Sequence, residues 1–350
     1  MLACGSRNNC GGGMSQFHRD NHYVPKFYLN QWATKGRVAT CNLLVPDVRT
    51  PIWGMRSLKG IAFRQNLYTN VIDGIETDAL ERWLDREFEA PAERALQLAV
   101  RDQRLDFSDW RLLVRFAMSQ DVRTPSRLRE FLQRYGSLMP SLLDEVLTNA
   151  VAKLEAGVLP PSTRESGTGH GLPLKVEISR EEDGSGKVHV ETVVGRSMWQ
   201  WGVEHLLTST INKISVKGWT ILKPANGFSW PTSDNPLIRL NYVNDVNYNF
   251  SGGWEVQKGD ILLPLSPNHL LFRSGGVRPL KRGTRLDQIT TSRIQRMIVE
   301  HADRFVFARE PFAVEAIRSR VVDFEAVREE RDFWRRWNND QIAVEQGFRK

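Results

Sequence analysis

Five polar side chains in separated stretches of the chain could do chemistry together: His22, Glu87, Gln120, Arg123 and Asp234. His22 stands in the run Asn21-His-Tyr-Val-Pro-Lys-Phe-Tyr-Leu-Asn-Gln-Trp32, an aromatic setting in which a neutral imidazole can serve as a metal ligand or as a general base near neutral pH. Asp234 precedes Asn235-Pro236, and a carboxylate at such a strand-end turn can bind a hard cation through oxygen. Arg123 carries the planar fork that clamps phosphate or carboxylate. The chemistry these types spell out together is metal-assisted hydrolysis. A divalent Mg or Mn ion held by His22, Glu87 and Asp234 would activate water and neutralise phosphate charge. A hydrolase, in its sharper form a nuclease acting on a phosphate-containing substrate, is the first functional expectation.

Each residue also has a structural reading. His22 could be a core histidine bonded to a carbonyl. An Asx turn alone accounts for Asp234 and Asn235. Glu87 and Gln120 could belong to a satisfied network with Arg123 or His22, since burying either unpaired costs on the order of 1–3 kcal/mol. His269, alternating in a hairpin strand, and His301, on a helical face with Met297 and Ile298, read as packing residues. The chain contains no Gly-x-x-x-x-Gly-Lys-Ser/Thr loop, dinucleotide fingerprint, His-Glu-x-x-His or Gly-x-Ser-x-Gly, so nucleotide-loop, zinc-protease and serine-hydrolase readings have no motif behind them.

The elements that must position these groups follow from periodicity. Pro25 opens a short helix, since proline suits a first helical turn. Arg37–Val45 reads as a strand, Val48–Ile52 as a weaker partner and Ile61–Tyr68 as extended, ahead of the turn signal Asp73-Gly74. From Glu76 to Val100 apolar residues recur at three and four, an amphipathic helix ended or kinked near Pro91. At 100° per residue Glu87 falls on its apolar side and Glu89 on the other. Ser108 or Asp109 caps the next helix, whose inner face includes Gln120 and Asp121, and Thr124-Pro125 ends it before a longer helix from Ser126 to about Ala150. Strands Leu174–Ser179 and Lys187–Val194 flank Asp183-Gly-Ser-Gly186 as a hairpin. A helix over Ser197–Ile211 follows. Strand signals come at Trp219–Leu222, Gly227–Trp230, Pro236–Leu240, Ile261–Leu265, His269–Phe272 and Arg304–Ala308, with helices at Asp287–Glu300 and from Val321 to Lys350.

This pattern predicts an α+β fold: a helical block at about residues 75–155 packed on a mixed, mainly antiparallel β region, with a C-terminal helix. Residues 1–13 read as a flexible leader, 14–310 as one composite domain and 311–350 as a helical extension. Within the domain, the Pro/Gly/Ser-rich loop 159–171 separates the helical part from a β-rich part at about 172–310. Two cores joined at that loop are the alternative division.

Of 350 residues, 48 are basic and 41 acidic, giving a formal charge of +7. The excess favours nucleic acid or another phosphorylated ligand as partner, although a mixed-charge solvated surface would look the same. No apolar run is long enough to span a membrane. Cys4, Cys10 and Cys41 have neither zinc-ligand spacing nor the look of a secreted disulfide framework, which points to a reducing, cytoplasmic setting. The second functional expectation, from a different class, is therefore a non-enzymatic nucleic-acid-binding or regulatory protein.

His22, Pro25, Tyr28, Leu29 and Trp32, then Gln120 with Arg123-Thr-Pro125, Thr232-Ser-Asp-Asn-Pro236, Leu263-Pro-Leu-Ser-Pro267 and Ala302-Asp-Arg-Phe-Val306 together resemble the domain-of-unknown-function family 4238, found in bacterial proteins. The resemblance spans roughly residues 21–308 and implies a layout and a set of polar residues rather than a reaction. Asn21 stands where a second histidine often occurs in that family, which argues against an obligatory two-histidine metal site. The basic tail lies outside the resemblance. The sharpest geometric expectation is that His22, Glu87, Gln120 and Asp234 surround one pocket.

Overall fold

The computed structural model describes residues 19–72, 75–156, 174–180, 186–254, 259–275 and 278–349. The leader 1–13, the 159–171 loop, the Asp73-Gly74 turn and most of the Asp183–Gly186 turn lie outside the described residues.

The fold is α+β. Strand β1 (Asp20–His22) leads through Pro25, whose extended backbone precedes helix α1 (Lys26–Leu29). Strands β2 (Arg37–Asn42), β3 (Leu44–Val45), β4 (Trp53–Ser57), β5 (Phe63–Gln65), β6 (Asn70–Ile72) and β7 (Ile75–Thr77) follow. The helical block is α2 (Ala79–Leu84), α3 (Ala90–Val100), α4 (Phe107–Val122) and α5 (Pro125–Glu155). Then come β8 (Leu174–Arg180), β9 (Gly186–Thr192), α6 (Arg196–His205), β10 (Trp219–Leu222), β11 (Thr232–Ser233), β12 (Ile238–Asn244), β13 (Asn247–Asn249), β14 (Gly259–Ser266) and β15 (His269–Arg273). The chain closes with α7 (Gln288–His301), β16 (Phe305–Ala308), β17 (Val321–Val322) and α8 (Phe324–Arg349).

Two antiparallel sheets carry the architecture. One has the order β10-β15-β14-β12-β13 and is drawn from residues 219–273; the other, β11-β16-β2-β4, brings the N-terminal β2 against β16, more than 260 residues later. The largest apolar cluster runs from Tyr23 to Trp337 and draws on α1, the helical block, both sheets and α8. Trp32 Nε1 donates to the Trp230 carbonyl (2.8 Å) and the Tyr28 hydroxyl donates to the Pro264 carbonyl (2.6 Å), so the aromatic opening run is pinned across the core.

Several local expectations change. The partner of β2 is Trp53–Ser57 rather than Val48–Ile52, because Asp47 and Thr50 close a turn there (Thr50 N to Asp47 O, 3.0 Å). Gly227–Trp230 is a bend: Gly227 takes φ +80°, which glycine adopts without a Cβ penalty, and Phe228 N donates to the Ala225 carbonyl. The cap of α4 is Asp106, in a reciprocal capping box with Asp109. Pro91 does not end the helical run. It sits at the start of α3, directly after a π-helical segment, Asp85–Glu89, whose wider turn relieves the clash a proline ring makes with an α-helical carbonyl.

Candidate functional site

That π segment decides which carboxylate faces inward. One turn holds an extra residue there, so the 100° progression fails, and a residue five positions after Leu84 comes round to its face. Glu89 thus points inward, the reverse of the helical-wheel reading, and pairs with Arg123 Nη1 at 2.5 Å. Glu87 is left half-exposed in an ion pair with its neighbour Arg86 (2.9 Å).

Arg123, at the end of α4, is 1% exposed, and each of its nitrogens has a protein partner. Nη1 donates to Glu89, Nη2 to the His22 carbonyl (2.6 Å) and Nε to the Tyr68 hydroxyl (3.2 Å), while that hydroxyl donates to the Arg123 carbonyl (2.7 Å). Arg123 therefore ties β1 and the β5–β6 connection to the helical block. The next residue extends the tie, since Thr124 Oγ1 donates to Asn235 Oδ1 (3.3 Å).

His22 is paired through its backbone with Phe63 in β5, and its ring leans on Phe63. Burial first, then the positive charges of Lys26 and Arg123, lowers its pKa to about 4, so the imidazole is neutral at pH 7. Its Nδ1 is buried without a hydrogen-bond partner among the described residues. Beside it, Asn21 is fully buried. It accepts from the Tyr68 backbone N–H (2.9 Å) and donates to Glu81, a carboxyl that burial raises to about 7.

Asp234 is 3% exposed and its two oxygens accept the backbone N–H groups of Asp303 (2.9 Å) and Arg304 (2.8 Å). Burial and then the neighbouring Asp303 push its carboxyl upward. The side chain welds the Thr232–Pro236 and Ala302–Val306 motifs together. Gln120 is fully buried, as its helical position implies, donating to Ser119 Oγ (3.3 Å), with Oε1 unpartnered among the described residues.

His22 and Asp234 thus lie on the strand and turn that flank Tyr23, whose hydroxyl feels the charges of Asp234, Arg64, Asp303 and Glu330. Arg123 reaches His22 directly; Glu87 joins none of them. The metal set His22, Glu87 and Asp234 does not fit an ion: Asp234's oxygens serve backbone donors and Glu87 faces Arg86. No group of three His, Cys, Asp or Glu side chains suited to a metal occurs among the described residues.

The cavity next to these motifs lies elsewhere on Tyr23's surroundings. It has a volume of about 600 Å³, between β2, β4, the strained turn before β5 and α8. Five arginines line it, Arg56, Arg64, Arg304, Arg331 and Arg335, against one acid, Glu330. Tyr23, Trp53, Phe63, Phe305 and Trp334 supply aromatic surface. Ala62, at φ +51°, is the strained residue of the turn, and its carbonyl accepts the Tyr23 backbone N–H (3.1 Å). A non-glycine residue in the left-handed region costs of the order of 1 kcal/mol, and here it aims β5 so that Arg64 enters the cavity.

Glu330 bridges Arg64 (3.0 Å) and Arg304 (2.7 Å); burial opposes its charge, but the two guanidinium groups hold it below the usual carboxylate range. Arg64 keeps a buried Nε without a partner among the described residues and lies over the Trp334 ring at 5.2 Å. Arg56 has no ion-pair partner among the described residues, and Arg331 and Arg335 have only the half-exposed Asp332, at 3.4 and 3.7 Å. None of these arginines was singled out by residue type alone. The usable signal was the stripe Val327, Glu330, Arg331, Trp334 and Arg335 at helical spacing, together with Arg304 in the Ala302–Val306 motif.

No helix among the described residues is long and apolar enough to cross a membrane. No curated protein and no solved structure matches the chain. One family does, described as protein of unknown function (DUF4238), over residues 20–311. That span holds every motif that meets around Tyr23, from Asn21 to Val306, and the chain belongs to the DUF4238 family.

Proposed function

We propose that the protein binds a phosphate-bearing ligand in the cavity between the four-stranded sheet and α8. The observation that carries this is the charge of the lining: five arginines from β4, β5, β16's approach and α8 face one glutamate, and that glutamate already serves two of them. Guanidinium forks in an aromatic-walled cavity are the chemistry that holds phosphate esters. A volume of about 600 Å³ lies in the range of ligand pockets.

Binding without chemistry, in the manner of a nucleic-acid-binding or regulatory protein, is supported over metal-assisted hydrolysis because the carboxylates assigned to the metal are engaged with backbone N–H groups and a neighbouring arginine. A reducing, bacterial cytoplasm suits the buried free thiol of Cys41, which burial pushes up to about 11.

The test is titration of the purified chain with phosphate-bearing ligands, nucleic acid included, at rising salt, beside the variants Arg56→Gln and Arg304→Gln. Affinity should fall with salt and with each substitution. Salt-insensitive or absent binding overturns the proposal, and turnover of DNA or RNA that requires Mg²⁺ or Mn²⁺ would replace binding with hydrolysis.

A further inference from the structure

The family match ends at residue 311, and α8, Phe324–Arg349, lies beyond it, yet α8 forms a whole wall of the cavity. Val327, Glu330, Arg331, Trp334 and Arg335 stand on one stripe of that helix, separated by three and four residues. The other end of α8 is anchored to α6. Arg196, fully buried, donates through Nε and Nη2 to Glu345 (3.1 and 2.8 Å) and through Nη1 to Asn338 (2.6 Å), and its backbone N–H donates to Gln341 Oε1 (2.7 Å). The wall therefore has a fixed pose.

Of the four aromatic rings that the family-matched part gives the cavity, Tyr23 is buried and the other three have ring partners. Phe63 leans on His22, Phe305 stacks on Phe307 at 13°, and Trp53 packs on Phe312 while donating to its carbonyl. Trp334 is held differently: Phe333 and Trp337 meet it edge-on, at 77° and 61°, and the group that lies over its ring is a cavity arginine, Arg64. We infer that α8 makes the pocket selective for a nucleotide unit, a planar ring carrying phosphate, with Trp334 as the stacking surface and Arg331 and Arg335 as outer phosphate donors beside Arg64. The inference rests on the phosphate-binding reading and adds to it the ring.

The experiment compares inorganic phosphate, adenosine 5′-monophosphate and a 5′-phosphorylated single-stranded oligonucleotide by calorimetric titration against the full chain and its Trp334→Leu, Trp334→Phe and Arg335→Gln variants. Trp334→Leu should lose about tenfold in affinity for the monophosphate, the usual worth of one stacked base, and stay within about twofold for inorganic phosphate. Trp334→Phe should recover most of the loss, which a merely misfolded Trp334→Leu protein would not explain. Arg335→Gln, on an exposed side chain, should weaken both ligands. Tighter binding of the oligonucleotide supports the inference with a strand end as source; tighter binding of the monophosphate supports it with free nucleotide as source. If phosphate binds but Trp334→Leu leaves the monophosphate unchanged or weakens both equally, the inference fails and the phosphate reading stands. If no anion binds, the phosphate reading itself fails.

Discussion

Arg123 and Glu87 have opposite fates that neither residue type announces. Arg123 is consumed by Glu89, Tyr68 and the His22 carbonyl, so Arg123→Met leaves a part-buried carboxylate and a carbonyl without their donor. Removing one partner of a buried pair costs about 3–5 kcal/mol, whereas Glu87→Ala, at an exposed local pair, should stay within about 0.5 kcal/mol. Urea denaturation of the two variants measures both; equal effects would sink the assignment. His301 carries a pH dependence of its own. Burial first, then Arg127, lowers its pKa from 6.5 to about 4, so the unfolded chain takes up a proton that the folded one refuses. The histidine's contribution is fully present above pH 6.5 and is lost as pH falls toward 4, which amounts to about 2 kcal/mol by pH 5. His22 acts in the same direction. His301→Gln should therefore shrink the difference in stability between pH 7 and pH 5, and an unchanged difference would exclude His301 as its source.

Among the elements, the π segment Asp85–Glu89 and helix α8 have the largest consequences. Glu89→Ala removes the carboxylate that this segment turns toward Arg123. The loss should match that of Arg123→Met, and the double variant should cost little more than either alone, since both break one interaction. Additive losses would show that the segment does something else. At the far end, Glu345→Gln leaves the buried Arg196 charge uncompensated while keeping the side chain's shape. The expected cost is about 2 kcal/mol, seen as a lower thermal midpoint and as a change in the fluorescence of the Phe333, Trp334 and Trp337 cluster. A midpoint equal to that of the parent chain would mean that the pair does not seat α8.

For the whole molecule, the net charge of +7 matters less than its placement, because five arginines converge on one cavity where Arg64 and Arg304 share Glu330, Arg331 and Arg335 share the half-exposed Asp332, and Arg56 has no ion-pair partner among the described residues. Two to four phosphate contacts there give a log–log salt slope for single-stranded nucleic acid of about −1.4 to −2.8; a much steeper slope would place binding on the general surface. The α+β class, the helices at α4, α7 and α8 and the hairpin β14–β15 were legible because periodicity, caps and turn residues are local properties of neighbouring side chains. Gln120's burial was legible for the same reason. The exchange of Glu87 for Glu89 was not, since a single π turn breaks the phase on which a helical wheel depends. Nor was the cavity, whose arginines come from positions 56, 64, 304, 331 and 335. The sequence by itself determined the α+β class and which long segments are helices, because those follow from interactions between residues a few positions apart. Only the tertiary structure decided which charges are neutralised by one another and which are left facing a cavity, because ion pairs form across space between β5, the approach to β16 and α8, and the distances that separate a satisfied arginine from an available one exist only after the chain has closed.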